Sequence, residues 1–261
     1  METPSRTYIW VLRAAFLVSV LSFWEFSSGR LASEFFISSP SAIAVQFSRW
    51  VMSGTIFYHG AITLIEALGG FLLGGMIGMI FGVWLGRAEL VAEVLDPFIM
   101  MFYSLPKVAL APLFVLWFGI GIDMKIYLAA TIVFFLVFLN TYTGVRAVSR
   151  EQVAILRLMG ATEKHLLFKV VLPSAITWVF TGLRLSVPYA LIGAIVGELI
   201  ASNRGLGYLL ANSAGQFDTT GVFAALIGIM IMAFFLNAAV KLLEAKAMPW
   251  RDLNSKREMS I

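Results

Sequence analysis

Between Ile126 and Val145 the chain carries no charged side chain. As a helix that run is about 30 Å long, the thickness of the hydrocarbon core of a bilayer. Gly60–Gly86 holds Glu66 as its only charge, and Thr219–Val240 holds none. Overall 60% of residues are hydrophobic and 13% charged, with a mean hydropathy of +0.89. Soluble domains carry roughly a quarter charged residues. The alternating pattern of an outer-membrane barrel is absent, and no soluble domain of ordinary size fits between the runs. These features define an all-α integral membrane protein with one membrane domain.

Taken in order, residues 8–26 form a first span, with Arg13 placed to snorkel. No cleavage site of small residues follows it cleanly, and Trp24-Glu25-Phe26 at its end fits a retained anchor. Ser38-Ser39-Pro40-Ser41 signals a turn and helix N-cap, and Ala42–Val51 reads either as an interfacial helix or as one packed on the bundle. In Gly60–Gly86 a glycine recurs every four residues at Gly70, Gly74, Gly78, Gly82 and Gly86, a ridge against which another helix can lie closely. Residues 87–96 are charged and read as a short turn. Pro97, Pro106 and Pro112 then break any straight helix, and irregular backbone at membrane depth belongs inside protein or along a cavity. Val108–Ile122, Ile126–Val145, Val170–Leu199 and Thr219–Val240 complete six spans, with Pro173, Pro188, Arg184 and Glu198 interrupting the fifth. Asn203-Arg204-Gly205-Leu206-Gly207 reads as a glycine turn.

Orientation follows from the cations. With both termini inside, thirteen lysines and arginines fall on inner segments, and only Arg30, Arg49, Lys125 and Arg204 fall outside. Lys107 and Arg184 lie within spans. That asymmetry sets both termini in the cytoplasm. The division expected is an N-terminal anchor and periplasmic interfacial segment at 1–58, a membrane core at 59–248 and a cytoplasmic tail at 249–261.

Several chemistries drop out. There is no cysteine, and the two histidines, His59 and His165, are too few for a metal centre or a catalytic triad. No GxxxxGK[ST] loop is present, so the chain does not itself bind ATP in that way. The net charge of +4 reflects the cytoplasmic face and not nucleic acid. What remains is transport, and uphill movement then needs an ion gradient or an energised partner. Candidates for the lining of a pathway are Tyr103, Lys107, Asn140, Arg184, Tyr189 and Glu198, with Trp117 beside them. Arg184 could attract an anion or pack structurally, and Glu198, beside the glycine turn, suits structural hydrogen bonding as well as solute contact.

The stretch between the fourth and fifth spans, Arg146–Pro173, is basic and regular. Gly160 is followed by nine residues and then Val170-Val171-Leu172-Pro173. This resembles the cytoplasmic loop of binding-protein-dependent ABC importer permeases, whose pattern is Glu-Ala-Ala, three residues, Gly, nine residues, Ile-x-Leu-Pro. The Glu-Ala-Ala positions fall on Ala154-Ile155-Leu156, so the acidic residue is missing. Leu105-Pro106-Lys107-Val108-Ala109, Trp117-Phe118-Gly119-Ile120-Gly121, Thr181-Gly182-Leu183-Arg184, Gly197-Glu198-Leu199-Ile200 and Gly205-Leu206-Gly207 are similar to segments of the nitrate, sulfonate, taurine and bicarbonate branch.

The resemblance implies a type I permease fold with six transmembrane helices and a coupling helix over about Arg150–His165, between spans 4 and 5. It implies a transport subunit and not an enzyme, with no cofactor of its own, ATP and Mg being held by two partner ATP-binding subunits. It further implies a second permease subunit as a homodimer, a periplasmic or lipid-anchored solute-binding protein, and a bacterial inner-membrane location. Arg150, Glu151, Ala154, Leu156, Arg157, Gly160, Ala161, Leu172 and Pro173 would carry the ATPase contact. The solute expected is a small anion such as a sulfonate, nitrate or taurine, with thiamine-precursor pyrimidines and aromatic solutes as alternatives. An ion-gradient-driven secondary transporter is the rival class, and a purely structural scaffold the third.

Overall fold

A computed structural model describes residues 6–31, 33 and 35–248, without the side chains of Arg6 and Arg150. The tail at 249–261 lies outside the described residues. The helices are α1 (Arg6–Ser27), α2 (Pro40–Met52), α3 (Thr55–Arg87), α4 (Glu89–Ser104), α5 (Ala111–Phe118), α6 (Ile122–Arg146), α7 (Arg150–Leu158), α8 (Glu163–Leu166), α9 (Leu172–Ile200), α10 (Leu206–Gly215) and α11 (Thr219–Ala247).

The glycine ridge of α3 seats that helix on α6. A Cβ added at Gly70 would stand 2.4 Å from the Ala129 Cβ, at Gly78 2.7 Å from the Phe134 carbonyl oxygen, at Gly82 2.6 Å from the Thr141 Cβ and at Gly86 2.7 Å from the Val145 Cβ. The backbones therefore touch along the whole seam, which is how membrane helices associate where the hydrophobic effect is weak. On the opposite side α9 does the same with Gly182 on Val137 and Asn140 and Gly193 on Ala129. α6 is thus the central helix, and Met124, Leu128, Ala129, Val133 and Val137 on it are fully buried.

The seam also settles the number of crossings. Contacts advance in the same direction along α3 and α6, from Gly70 on Ala129 to Gly86 on Val145, so the two helices run parallel. The chain between them must return across the membrane. It does so as a broken span: α4 and the short helical stretch 107–118 meet at a bend of 77°. Leu105, held extended (φ −65°, ψ 133°) by the following Pro106, is the break. Five helices are long and apolar enough to cross, and the bent pair makes the sixth.

Four sequence expectations need correction. The charged stretch 87–96 is not a turn: only Ala88 separates α3 from α4, and Pro97 lies inside α4. The second span starts at Thr55, not Gly60. The fifth span is uninterrupted from Glu163 to Ile200. Pro173 has no N–H, and the turn before it, Leu167–Val171, widens to a π-turn in which the Leu172 N–H bonds the Leu167 carbonyl, so the helix passes through. Pro188 likewise stays within α9. Finally, Gly205 leads not merely into a turn but into α10, whose Leu206 and Leu209 join Ile56 and Ala225 in a core cluster against Phe47 and Trp50 of α2. That contact packs α2 on the bundle.

Candidate functional site: the coupling face and the broken span

α7 begins at Ser149, whose hydroxyl accepts from the Gln152 N–H at 3.3 Å and donates to Glu151 at 2.5 Å. That hydroxyl, and a backbone N–H, hold the exposed Glu151 carboxyl below the usual carboxylate range. The helix ends in paired bonds: the Ala161 N–H reaches the Leu156 carbonyl at 2.9 Å, and the Gly160 N–H reaches Arg157 at 3.0 Å. This is a Schellman C-cap, and it requires its C′ residue in the left-handed region. Gly160 has φ +82°. Thr162 then caps the next helix, accepting from the His165 N–H at 3.4 Å while His165 Nδ1 accepts from the Thr162 N–H at 3.5 Å. The helix expected over Arg150–His165 therefore stops at Leu158, because residues 160–162 close one helix and open another.

Among the described residues α7 makes no extensive packing contact with another helix. A recess of about 930 Å³ lies between it and the bundle, lined by Arg87, Arg146, Ala154, Arg157 and Glu163 among others. Across that recess Glu163 accepts from Arg157 and from Arg87 of α3, both at 2.8 Å. Ile155, Leu158 and Met159 are exposed, Leu158 where it lines that recess. Ala154 is exposed too, Leu156 and Ala161 are half-buried, and Leu172 and Pro173 open α9. Arg150 enters only as the first residue of α7.

At the break between α4 and α5, Lys107 bonds the Tyr103 carbonyl and places its ammonium 4.6 Å from the Tyr103 ring centre and 4.5 Å from that of Phe135. Such contacts stabilise a cation in an apolar setting. Tyr103 and Lys107 are the only pair of pathway candidates tied by a direct bond or ring contact among the described residues. Asn140 donates to its own helix at Leu136, 2.8 Å away, and packs on Gly182. Arg184 forms an ion pair with Glu244 of α11. Tyr189 and Trp117 are exposed.

Glu198 is buried elsewhere, in a cluster the sequence reading did not assemble. It accepts from the Thr63 hydroxyl and the Gly207 N–H, both at 2.6 Å. The Thr63 hydroxyl oxygen accepts from the Leu206 N–H at 2.8 Å, and His59 Nδ1 from the Gly205 N–H at 3.0 Å. The α10 N-terminus is thus held by α3 and α9, with glycine at 205 and 207 because a Cβ would stand 2.0 Å and 2.8 Å from the carboxylate oxygens. Only the spacing Glu198…Gly205-x-Gly207 hinted at it.

The comparisons agree with this architecture. Residues 74–248 match the family described as "Binding-protein-dependent transport system inner membrane component". A putative aliphatic sulfonates transport permease protein of Bacillus subtilis (strain 168) is 32% identical over 96% of this chain and 92% of its own. A formylaminopyrimidine transport permease protein of Halalkalibacterium halodurans is also 32% identical, over 94% and 98%. Among solved structures, a chain of the MetNI methionine ABC transporter in inward-facing conformations superposes with a TM-score of 0.63 at 18% identity, over 76% of this chain and 96% of that one.

Proposed function

The chain belongs to the family of binding-protein-dependent transport system inner membrane components, and we propose from this premise that two copies of it pair with two ATP-binding subunits and a solute-binding protein. It is the permease subunit of an ABC importer, with the type I fold. The observation that carries the energetic part of the proposal is α7. A capped, solvent-facing helix with exposed Ile155, Leu158 and Met159, hung from the bundle across a recess, suits insertion into a cleft of an ATPase. Glu151, Arg157 and the Gly160 cap would fix its attitude there, and ATP hydrolysis would occur in the partner. The start of α1, α7 and the end of α11 share one side, because an even number of crossings separates each from the next. The basic residues gathered there support the cytoplasm as that side.

The solute is a small anion of the aliphatic sulfonate class. The relatedness to a sulfonate permease supports this, and so does Lys107, whose partners among the described residues are a carbonyl and two aromatic rings. A second reading, an aminopyrimidine, is supported by the equally similar formylaminopyrimidine permease. Uptake into proteoliposomes holding the permease, its ATPase and its binding protein separates them. ATP-dependent accumulation of labelled sulfonate, lost without the ATPase, is the expected result. Uptake driven by an ion gradient after ATP depletion would overturn the importer reading. Lys107→Met should slow sulfonate uptake by about tenfold and leave any pyrimidine uptake unchanged.

A further inference from the structure

Glu66, Lys125 and Glu198 sit together with relative exposures of 0%, 3% and 1%. Lys125 Nζ lies 3.4 Å from Glu66 Oε1 and donates to Ser202 Oγ at 3.1 Å. Glu66 lies one turn along α3 from Thr63, whose hydroxyl donates to Glu198 at 2.6 Å, so the two carboxyl groups share one buried pocket. The groups that surround them are His59 and Thr63 of α3, Lys125 of α6, and the backbone N–H groups that open α10. Arg204, exposed on the adjoining loop, reaches Ser202 through its backbone N–H. Fully ionised, the cluster would bury two carboxylates against one ammonium. A net charge at this depth is costly, and two carboxylates sharing a site do not both ionise.

The hydrogen bonds distinguish the two acids. Glu198 accepts an O–H and an N–H and faces the positive end of α10, all of which favour its anion. Glu66 has the Lys125 ammonium 3.4 Å from one oxygen, and among the described residues neither oxygen accepts an O–H or a backbone N–H. We propose that the cluster binds one proton, resident on Glu66, whose O–H is donated to the Glu198 carboxylate, so that one carboxylate and the Lys125 ammonium balance in charge. The proton then completes the latch that joins α3, α6, α9 and α10. Its loss would set two carboxylates against each other beside the α10 N-terminus and loosen that joint.

The test uses the assembled importer in lipid. Infrared difference spectra between wild type and Glu66→Gln should show one protonated carboxylic C=O band lost, since glutamine reproduces the neutral donor without the proton. Thermal unfolding of Glu66→Gln should match wild type at neutral pH, whereas Glu198→Gln should unfold about 5 °C lower. ATP-driven uptake in wild type should fall at alkaline pH, and Glu66→Gln should lack that fall. Absence of a lost band overturns the proposal. So does the reverse order of stability, which would put the proton on Glu198. Failure of Glu66→Gln to assemble also counts against it, because a neutral Glu66 is replaceable by its amide.

Discussion

Gly74 of α3 lies against Ala130 of α6 so closely that a Cβ would stand 2.3 Å from the Ala130 carbonyl oxygen. The obstacle is backbone in the middle of the central seam, so neither helix can yield by a rotamer change. Gly74→Ala should force the helices apart, and overpacking of this kind costs about 1–3 kcal/mol or more. Gly60→Ala, whose Cβ would meet only the flexible end of Met232 at 3.6 Å, should be close to neutral. Melting temperatures of the two purified variants check the contrast, and equal values would contradict a seam set by backbone contact.

At Gly160 the constraint is conformational and not steric. Nothing lies within 4 Å of an added Cβ, but φ is +82°. A non-glycine residue there costs roughly 1–2 kcal/mol, less for asparagine, which tolerates the left-handed region. Gly160→Val should therefore fray the end of α7 and reduce solute-stimulated ATP hydrolysis several-fold while membrane insertion stays intact. Gly160→Asn should keep most of the coupling. The rate of ATP hydrolysis with and without loaded binding protein reads this directly. Normal stimulation in the valine variant would remove the cap from the coupling mechanism.

Which parts were legible follows from the range of the forces involved. The glycine ridge at 70, 74, 78, 82 and 86 is a local period, and the pairing with α6 confirms it as a seam. The Gly160 and Leu172-Pro173 spacing marked the loop, but the end of α7 at Leu158 depends on a cap at Gly160 followed at once by a second N-cap at Thr162. Charge density misled at 87–96, where Glu89 and Glu93 sit on α4 instead of in a loop. Prolines misled in the fifth span, since a π-turn absorbs Pro173. Glu66, Lys125 and Glu198 could not be joined by eye, because each belongs to a different helix and no period links them.

The family glutamate is absent at Ala154, and Glu163 supplies an acidic group in the same recess. It accepts from Arg157 at the end of α7 and from Arg87 at the end of α3. All three groups are at least a third exposed, so each pair is worth at most about 1 kcal/mol. Glu163→Ala should therefore leave global stability within experimental error. It should nevertheless free α7 relative to α3, because little else packs that helix. The expected outcome is higher ATP hydrolysis per solute transported, by about threefold, with Glu163→Asp intermediate. Unchanged stoichiometry would show that the recess is spanned by backbone alone.

Arg184 and Glu244 tie α9 to α11, with Glu244 almost fully buried and Arg184 partly exposed. Removing the guanidinium takes one cation away from a carboxylate of low exposure, and breaking a buried pair from one side typically costs about 3–5 kcal/mol. The exposure of Arg184 places the effect at or below the low end of that range. Arg184→Met should destabilise the permease by about 2 kcal/mol, and Arg184→Met combined with Glu244→Gln should recover most of the loss. If Arg184 instead acts by drawing an anion into the pathway, the double variant would be as stable as wild type and still transport poorly. Thermal unfolding and sulfonate uptake measured on the same three proteins separate the two roles. Recovery of both in the double variant assigns Arg184 to the joint between α9 and α11.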